Sequence, residues 1–308
     1  MFASAPALTV AALSLQSGGS VLFSAFLAEL HAAQYVFCSL LLTAAVCLVL
    51  SRGRLPARGR VSLLLLNVLT AMSFVGFYVA LRYLQPAMVG AFDIGIAVLA
   101  SIAMETLSRR KRPSASRLVC GMGIGAACAM LGWIATQHVR GSGVALPALA
   151  ACLACGIGSA GGVHASQRLL RLGWNPYALL AHRFHLSLGL ALLWAHVDAP
   201  SIAAAGSATG LILLGVGVAC VLLPQLLLQW AIARAGAGSV LISMGLQPAL
   251  AYGFSMLTPN YAWHAPTFVA VALVTVSVVA DIRLRGIEPP VSETPCEATF
   301  DAPEPAPA

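Results

Sequence analysis

Charged residues are scarce in this chain, where they make up 9% of the 308 residues. Soluble domains carry roughly 25% charged residues. Hydrophobic residues account for 59% of the sequence, and the mean hydropathy is +0.89. This composition excludes a soluble globular enzyme, because too few charges are available to cover a surface in water. It also excludes a disordered chain and a nucleic-acid-binding protein.

Catalytic and cofactor motifs are lacking as well. The sequence contains no nucleophile elbow, no P-loop and no paired aspartates within an apolar run. Gly121-x-Gly123-x-x-Ala126 fits a dinucleotide-binding pattern, but it lies inside an apolar run with no preceding strand. His182-x-x-His185 has the spacing of two metal ligands without a third ligand nearby. We therefore expect no enzymatic activity, no cofactor and no metal site.

Long apolar runs, by contrast, are abundant. Backbone polar groups in lipid must be satisfied internally, so these runs are expected to be helices. Runs of about 20 residues match the thickness of a bilayer core. The predicted spans are 7–29, 32–51, 61–83, 86–108, 117–137, 145–168, 176–197, 208–231, 236–257 and 264–283. The sequence thus predicts an all-α polytopic membrane protein with ten transmembrane helices.

The basic residues predict the orientation of these spans. With a cytoplasmic N-terminus, all but three (Arg82, Arg140 and Arg183) of the 17 Lys and Arg residues fall toward the cytoplasmic side. Cytoplasmic loops carry an excess of Lys and Arg, so both termini are expected in the cytoplasm. The segment 286–308 is rich in proline and acidic residues and has little apolar surface to bury. It is expected to be a disordered tail.

The two halves of the chain share a weak similarity. The segment 80–91 aligns with 231–242, and Gly18-Gly19 aligns with Gly161-Gly162. Both matches pair one span with the span five places later, and an odd number of spans reverses the direction of the chain. The sequence therefore predicts two inverted five-helix repeats, 1–140 and 141–285. Inverted repeats are typical of secondary transporters, whose substrate site lies near the midplane between the halves.

The chain resembles the EamA-type permeases of the drug/metabolite transporter superfamily. The resemblance rests on an Ala-Leu-x-Tyr element followed by a proline seventeen residues after its first alanine. The first half has Ala80-Leu81-Arg82-Tyr83 but carries Ala97 at the proline position, whereas the second half keeps the spacing from Ala231 to Pro248. The resemblance implies a transporter that works by alternating access, with a cavity between spans 1, 3, 4, 6, 8 and 9. It also implies that export of metabolites, amino acids or drugs is the default activity.

Polar groups inside the spans are the candidate functional residues. Asp93 is a deep acid in span 4, and an ionisable group at such a depth is costly enough to suggest a function. We expect it to couple transport to a proton or cation, the alternative being a structural partner for an arginine or for backbone donors. The residues expected to line the substrate cavity are Gln16, Tyr78, His164, Gln225 and Gln247. Their alternative role is ordinary packing and hydrogen bonding between helices.

Two further charges are expected to be structural. Glu105 precedes Arg109 by one helical turn, which favours an ion pair at the membrane interface. Arg183, early in span 7, matches an arginine of the resembled family and is expected to be architectural, with substrate binding as the alternative.

The expected function is that of a secondary transporter in a bacterial-type inner membrane, exporting a small organic solute. Its partners would be that solute and the lipid bilayer, without nucleic acid, and a homodimer is left open. The alternatives are an intramembrane enzyme and a non-transporting scaffold or channel.

Overall fold

The computed structural model describes residues 4–26, 32–53, 58–109, 114–138, 144–198, 215–258 and 263–287. Within these ranges the chain is helical and contains no strand. The predicted tail lies outside the described residues from position 288 onward. The helices are α1 (Ala5–Phe26), α2 (Ala32–Leu50), α3 (Arg60–Leu81), α4 (Pro86–Arg109), α5 (Ala115–His138), α6 (Ala145–Arg171), α7 (Pro176–His182), α8 (His185–Asp198), α9 (Leu223–Met244), α10 (Gln247–Met256) and α11 (Ala265–Ile287).

Eight stretches of the described chain are long and apolar enough to cross a bilayer. They are Ala5–Ser24, Ala32–Leu50, Arg60–Leu81, Pro86–Met104, Ala115–Gln137, Ala145–Arg171, Pro176–His196 and Gly215–Ala237, and a shorter apolar helix covers Ala265–Asp281. Large apolar side chains such as Val61, Leu107 and Leu146 are exposed on the outside of the bundle. Apolar side chains on the outside are expected where the surroundings are lipid. The prediction of an all-α membrane-spanning protein is confirmed at this level.

The predicted span 176–197 is broken into α7 and α8. Asn175 caps the N-terminus of α7. Its side-chain oxygen accepts a hydrogen bond from the Ala178 backbone N–H, with an O–N distance of 2.6 Å. The helix ends at His182, and α8 begins at His185 after a break of two residues. Asn67 of α3 bridges the break, since its Nδ2 donates to the His182 carbonyl at 2.9 Å and its Oδ1 accepts from the Leu186 amide at 3.3 Å. One amide side chain thereby satisfies a carbonyl and an N–H that an unbroken helix would have paired internally.

The helix α9 departs from regular geometry at both ends. A π-helical turn, Val218–Leu222, precedes it directly. Pro224 lies at the junction, and proline has no N–H to continue the regular hydrogen-bond ladder. Near its other end, Gly236 has φ 78° and ψ 168°, a backbone conformation that residues other than glycine rarely adopt. This kink lies where the sequence predicts a boundary between two spans.

Glycines allow close packing between α3 and α6. A Cβ atom at Gly158 would lie 2.5 Å from the Leu69 carbonyl oxygen, and one at Gly76 would lie 2.7 Å from the Ala151 carbonyl oxygen. Gly19 of α1 likewise faces the Cys220 side chain of the π-helical turn, with no space for a Cβ atom. Small residues let helix backbones approach closely within a membrane. The three contacts hold α1, α3, α6 and the start of α9 around a common interior.

Candidate functional site

That interior contains a cavity. It opens to the outside, and the space between its walls is about 780 Å³ when the open solvent at its mouth is counted. Its walls come from α1, α3, α4, α6, the α7–α8 break, the π-helical turn and α9. Five of the residues singled out from the sequence line it, namely Gln16, Tyr78, Asp93, Arg183 and Gln225. Ionisable side chains and amide side chains from helices that are far apart in the sequence therefore line the same cavity.

Asp93 places a carboxylate in the wall formed by α4. Its residue is 3% exposed. The Cys155 thiol donates to its Oδ1 at 3.3 Å, and Ser159 is a second hydrogen-bond partner. The Ser159 hydroxyl also lies 2.8 Å from that of Ser73 on α3. Among the described residues, no Lys, Arg or His nitrogen lies within 4.0 Å of this carboxylate, so its partners are neutral donors.

Arg183 lies in the two-residue break between α7 and α8. Its residue is 7% exposed. Nε donates to the Thr70 hydroxyl at 3.2 Å, and Nη1 donates to Oε1 of Gln225 at 3.3 Å. The guanidinium carbon is 5.3 Å from the centroid of the Phe184 ring, within the range of a cation–π contact. The break holds the guanidinium against α3 and α9 at the edge of the cavity.

Glutamines supply hydrogen-bonding groups to the same space. The buried Oε1 atoms of Gln16 and Gln229 have no hydrogen-bond partner among the described residues. Gln229 is 2% exposed and is not among the residues predicted to bind substrate. The sequence does indicate this contact, because Gln229 follows Gln225 by four residues and residues four apart share a helix face. Two glutamines of the cavity lining thus have buried amide oxygens without a donor among the described residues.

An aromatic cluster forms one side of the cavity. The ring of Tyr78 lies 5.1 Å from that of Phe23 and 5.5 Å from that of Tyr35, measured between centroids. Phe77, 5.5 Å from Tyr78, and Phe74 also line the cavity. Phe23 and Tyr35 come from α1 and α2, and their sequence positions alone gave no indication of this contact.

Two predicted lining residues lie away from the cavity. The His164 side chain is exposed, whereas Gly162, Val163 and Ser166 of the same helix line the cavity. Each residue turns the helix by about 100°, so a neighbour in sequence can face outward. Gln247 is buried at the start of α10, where its backbone carbonyl accepts a hydrogen bond from the Ser17 hydroxyl at 3.4 Å. The Glu105 side chain lies outside the described part of the structure.

A second buried acid was not anticipated from the sequence. Asp281, near the end of α11, is 0% exposed, and its Oδ1 lies 3.3 Å from Nε of Arg117 on α5. Arg117 is one of the basic residues predicted to lie toward the cytoplasmic side. The two residues form a buried ion pair between helices that do not line the cavity. The only signal was an aspartate directly after the apolar run of α11.

His182 and His185 lie close to the break. Nδ1 of His182 is 3.4 Å from Nε2 of His185. Within the described residues, no three His, Cys, Asp or Glu side chains come together in a way that could hold a metal ion.

No protein-family model matches the chain, and no curated protein matches it. Twenty-one solved chains resemble it in structure. One of them aligns with 93% of this chain and 98% of its own length, with a TM-score of 0.64 and 18% sequence identity. At this identity the likeness concerns the fold alone. It extends over nearly the whole of both chains.

Proposed function

We propose that this protein is a secondary transporter that moves a small organic solute through the membrane by alternating access. The observation that carries the proposal is the cavity. It lies within an apolar helix bundle, yet Asp93, Arg183 and three glutamines line it. Polar and ionisable groups at membrane depth are costly, and they typically mark solute or ion pathways.

The packing of the helices supports ten spans in two inverted repeats, 1–140 and 141–285. In this arrangement α7 and α8 together form span 7, and the kink at Gly236 separates spans 8 and 9. The helix α3 packs on α6 as the start of α9 packs on α1, and α4 packs on α6 as α10 packs on α1. Each pair maps onto the other when the span number changes by five. Such symmetry favours a cavity between two halves that move against each other.

This arrangement is the one that membership of the EamA-type permeases implies, and we propose that family for the chain. The proposed location is a bacterial-type inner membrane with both termini in the cytoplasm. Export remains the proposed direction of transport.

Asp93 is the proposed coupling residue. Its carboxylate lies in the cavity wall, and its partners within the described part of the chain are neutral, so it can take up a proton or contact a cation without first breaking an ion pair there. Gln16, Gln225 and Gln229 are the proposed hydrogen-bonding contacts of the solute. Tyr78 provides an aromatic surface beside them.

Solute flux into proteoliposomes tests this proposal. The full-length chain is reconstituted with and without an imposed pH gradient, and radiolabelled amino acids, amines and sugar derivatives are supplied. We expect flux of one chemical class, accelerated by the gradient, and we expect Asp93→Asn to abolish the acceleration. Asp281→Asn serves as the control, because that buried acid lies outside the cavity, and flux is compared per folded molecule. Gradient-driven flux that is unchanged in Asp93→Asn would refute the coupling role. No flux of any class would refute transport.

A further inference from the structure

Arg183 is a buried cation whose partners are neutral. A guanidinium offers five N–H donors. Here Nε bonds the Thr70 hydroxyl and Nη1 bonds the Gln225 amide oxygen. Nη2 makes no hydrogen bond to the described residues, and no carboxylate among them lies within 4.0 Å of the guanidinium. A buried positive charge that is paired only with neutral groups is energetically costly.

Arg117 is a second buried arginine, and its partner differs from those of Arg183. Its exposure is 8%, nearly equal to the 7% of Arg183. Arg117 faces Asp281 at 3.3 Å, so its charge is compensated within the protein. The two arginines therefore differ in their partners and not in their burial. Only Arg183 borders the cavity.

The other cavity groups restrict what could complete this site. Asp93 lines the same cavity, but its carboxylate accepts from Cys155 and Ser159 and is more than 4.0 Å from any basic nitrogen of the described residues. The Oε1 atoms of Gln16 and Gln229 are buried acceptors without donors. A solute that satisfies all of these groups needs one negative group for the guanidinium and at least one N–H or O–H donor.

We infer that Arg183 binds the carboxylate of the transported solute, so the cargo is a small carboxylic acid that also carries a hydrogen-bond donor. The planar guanidinium matches a carboxylate in shape as well as in charge. Among the described residues, Arg183 is the only basic side chain in the lining, which suits one carboxylate better than a doubly charged phosphate. This inference rests on the proposed transport function and names its substrate class.

Ligand binding to the purified full-length chain tests the inference. The probes are alanine, leucine and phenylalanine, each with the amine that lacks its carboxylate and the acid that lacks its amino group. For leucine these are 3-methylbutylamine and 4-methylpentanoate. We expect the thermal stability of the protein to rise with one or more carboxylates and to stay unchanged with the matching amines. Amines that stabilise as well as the carboxylates would overturn the inference, as would the absence of any shift with a carboxylate.

Variants of the arginine separate binding from structure. We expect Arg183→Gln to weaken carboxylate binding by about 30-fold or more, as for the loss of one member of a buried charge pair. The melting temperature without ligand should not fall, because the substitution removes an uncompensated buried charge. Arg183→Lys should keep part of the affinity, since it retains the charge without the planar fork. Should Arg183→Gln fail to fold, the arginine is structural and the inference is wrong.

The control is Arg82→Gln, because Arg82 is exposed and does not line the cavity. It should leave carboxylate binding unchanged. Unchanged binding in Arg183→Gln would overturn the inference. Flux assays then distinguish the two proposals. Transport of an amine that is insensitive to Arg183→Gln refutes the carboxylate site alone, whereas a chain that transports nothing refutes the function on which it rests.

Discussion

Removing only one partner of the ion pair between Arg117 and Asp281 should strongly destabilise the fold. At an Nε–Oδ1 distance of 3.3 Å, two unit charges attract by about 5 kcal/mol with an effective dielectric constant of about 20. The cost of desolvating both charges offsets part of that attraction. Removal of one partner is different, because the other charge stays buried and loses this counter-ion. Such a change typically destabilises a protein by about 3–5 kcal/mol.

We therefore expect Asp281→Asn and Arg117→Met each to lower the free energy of unfolding by about 3 kcal/mol or more. For a chain of 308 residues, an unfolding entropy of about 2.1 cal/mol/K per residue corresponds to about 1.5 °C per kcal/mol, so the melting temperature falls by roughly 5 °C or more. The double variant Arg117→Met/Asp281→Leu should recover most of the loss, since it leaves no charge behind. Replacing a buried ion pair by apolar side chains is often neutral or stabilising.

Thermal unfolding of the purified chain in one detergent, followed by tryptophan fluorescence, measures these differences. Asp93→Asn is the matched control, because it makes the same chemical change in a buried aspartate without a basic partner within 4.0 Å among the described residues. It should shift the melting temperature much less than Asp281→Asn does. Equal shifts in the two aspartate variants would refute the reasoning. Additive losses in the double variant would refute it as well, because they would mean that the two side chains act independently.

Two further substitutions test the packing that shapes the cavity. Gly158→Ala should destabilise the protein by about 1–3 kcal/mol, because its Cβ would lie 2.5 Å from the Leu69 carbonyl oxygen, whereas Gly162→Ala, with nothing within 4 Å, should be tolerated. Equal melting temperatures for these two variants would contradict the close contact of α3 with α6. Asn67→Ala should cost about 1–3 kcal/mol, because the His182 carbonyl and the Leu186 amide lose their partner. Asn67→Gln is the comparison variant, because it keeps both functional groups on a longer side chain. The local measurement is hydrogen exchange of the Leu186 amide, which should be faster in Asn67→Ala than in the parent protein.

The helices could be predicted from the sequence because lipid permits few backbone structures. The predicted span 32–51 corresponds to Ala32–Leu50, and the predicted span 86–108 corresponds to Pro86–Arg109. Apolar length and the need to satisfy the backbone internally decide such boundaries, and both are local properties.

The helix break at Arg183 was not accessible in the same way. The run 176–197 is apolar enough to predict one continuous helix, and it contains no proline or glycine near its break. The groups that stabilise the break belong to Asn67, more than a hundred positions earlier. A local pattern cannot reveal a partner that tertiary packing brings into place. The kink at Gly236 is different, since the glycine that permits it is visible in the sequence.

The candidate site was predictable in part for a related reason. Polar residues in apolar runs are conspicuous, and Gln16, Asp93 and Gln225 all line the cavity. Which face of a helix such a residue occupies depends on its neighbours. His164 is exposed although it lies two residues from Ser166, which lines the cavity.

The two buried arginines, Arg117 and Arg183, are alike in burial and differ in their partners. Both are rare charges in an apolar chain, and both are more than nine-tenths buried. Burial therefore does not distinguish these two charges, whereas the chemistry of their partners does. Arg117 meets a carboxylate from another helix, while Arg183 meets a hydroxyl and an amide beside open space. Among the described residues, Asp281 is the counter-ion of Arg117, and none faces Arg183. The missing counter-ion at Arg183 is thus the reason to expect it on the solute.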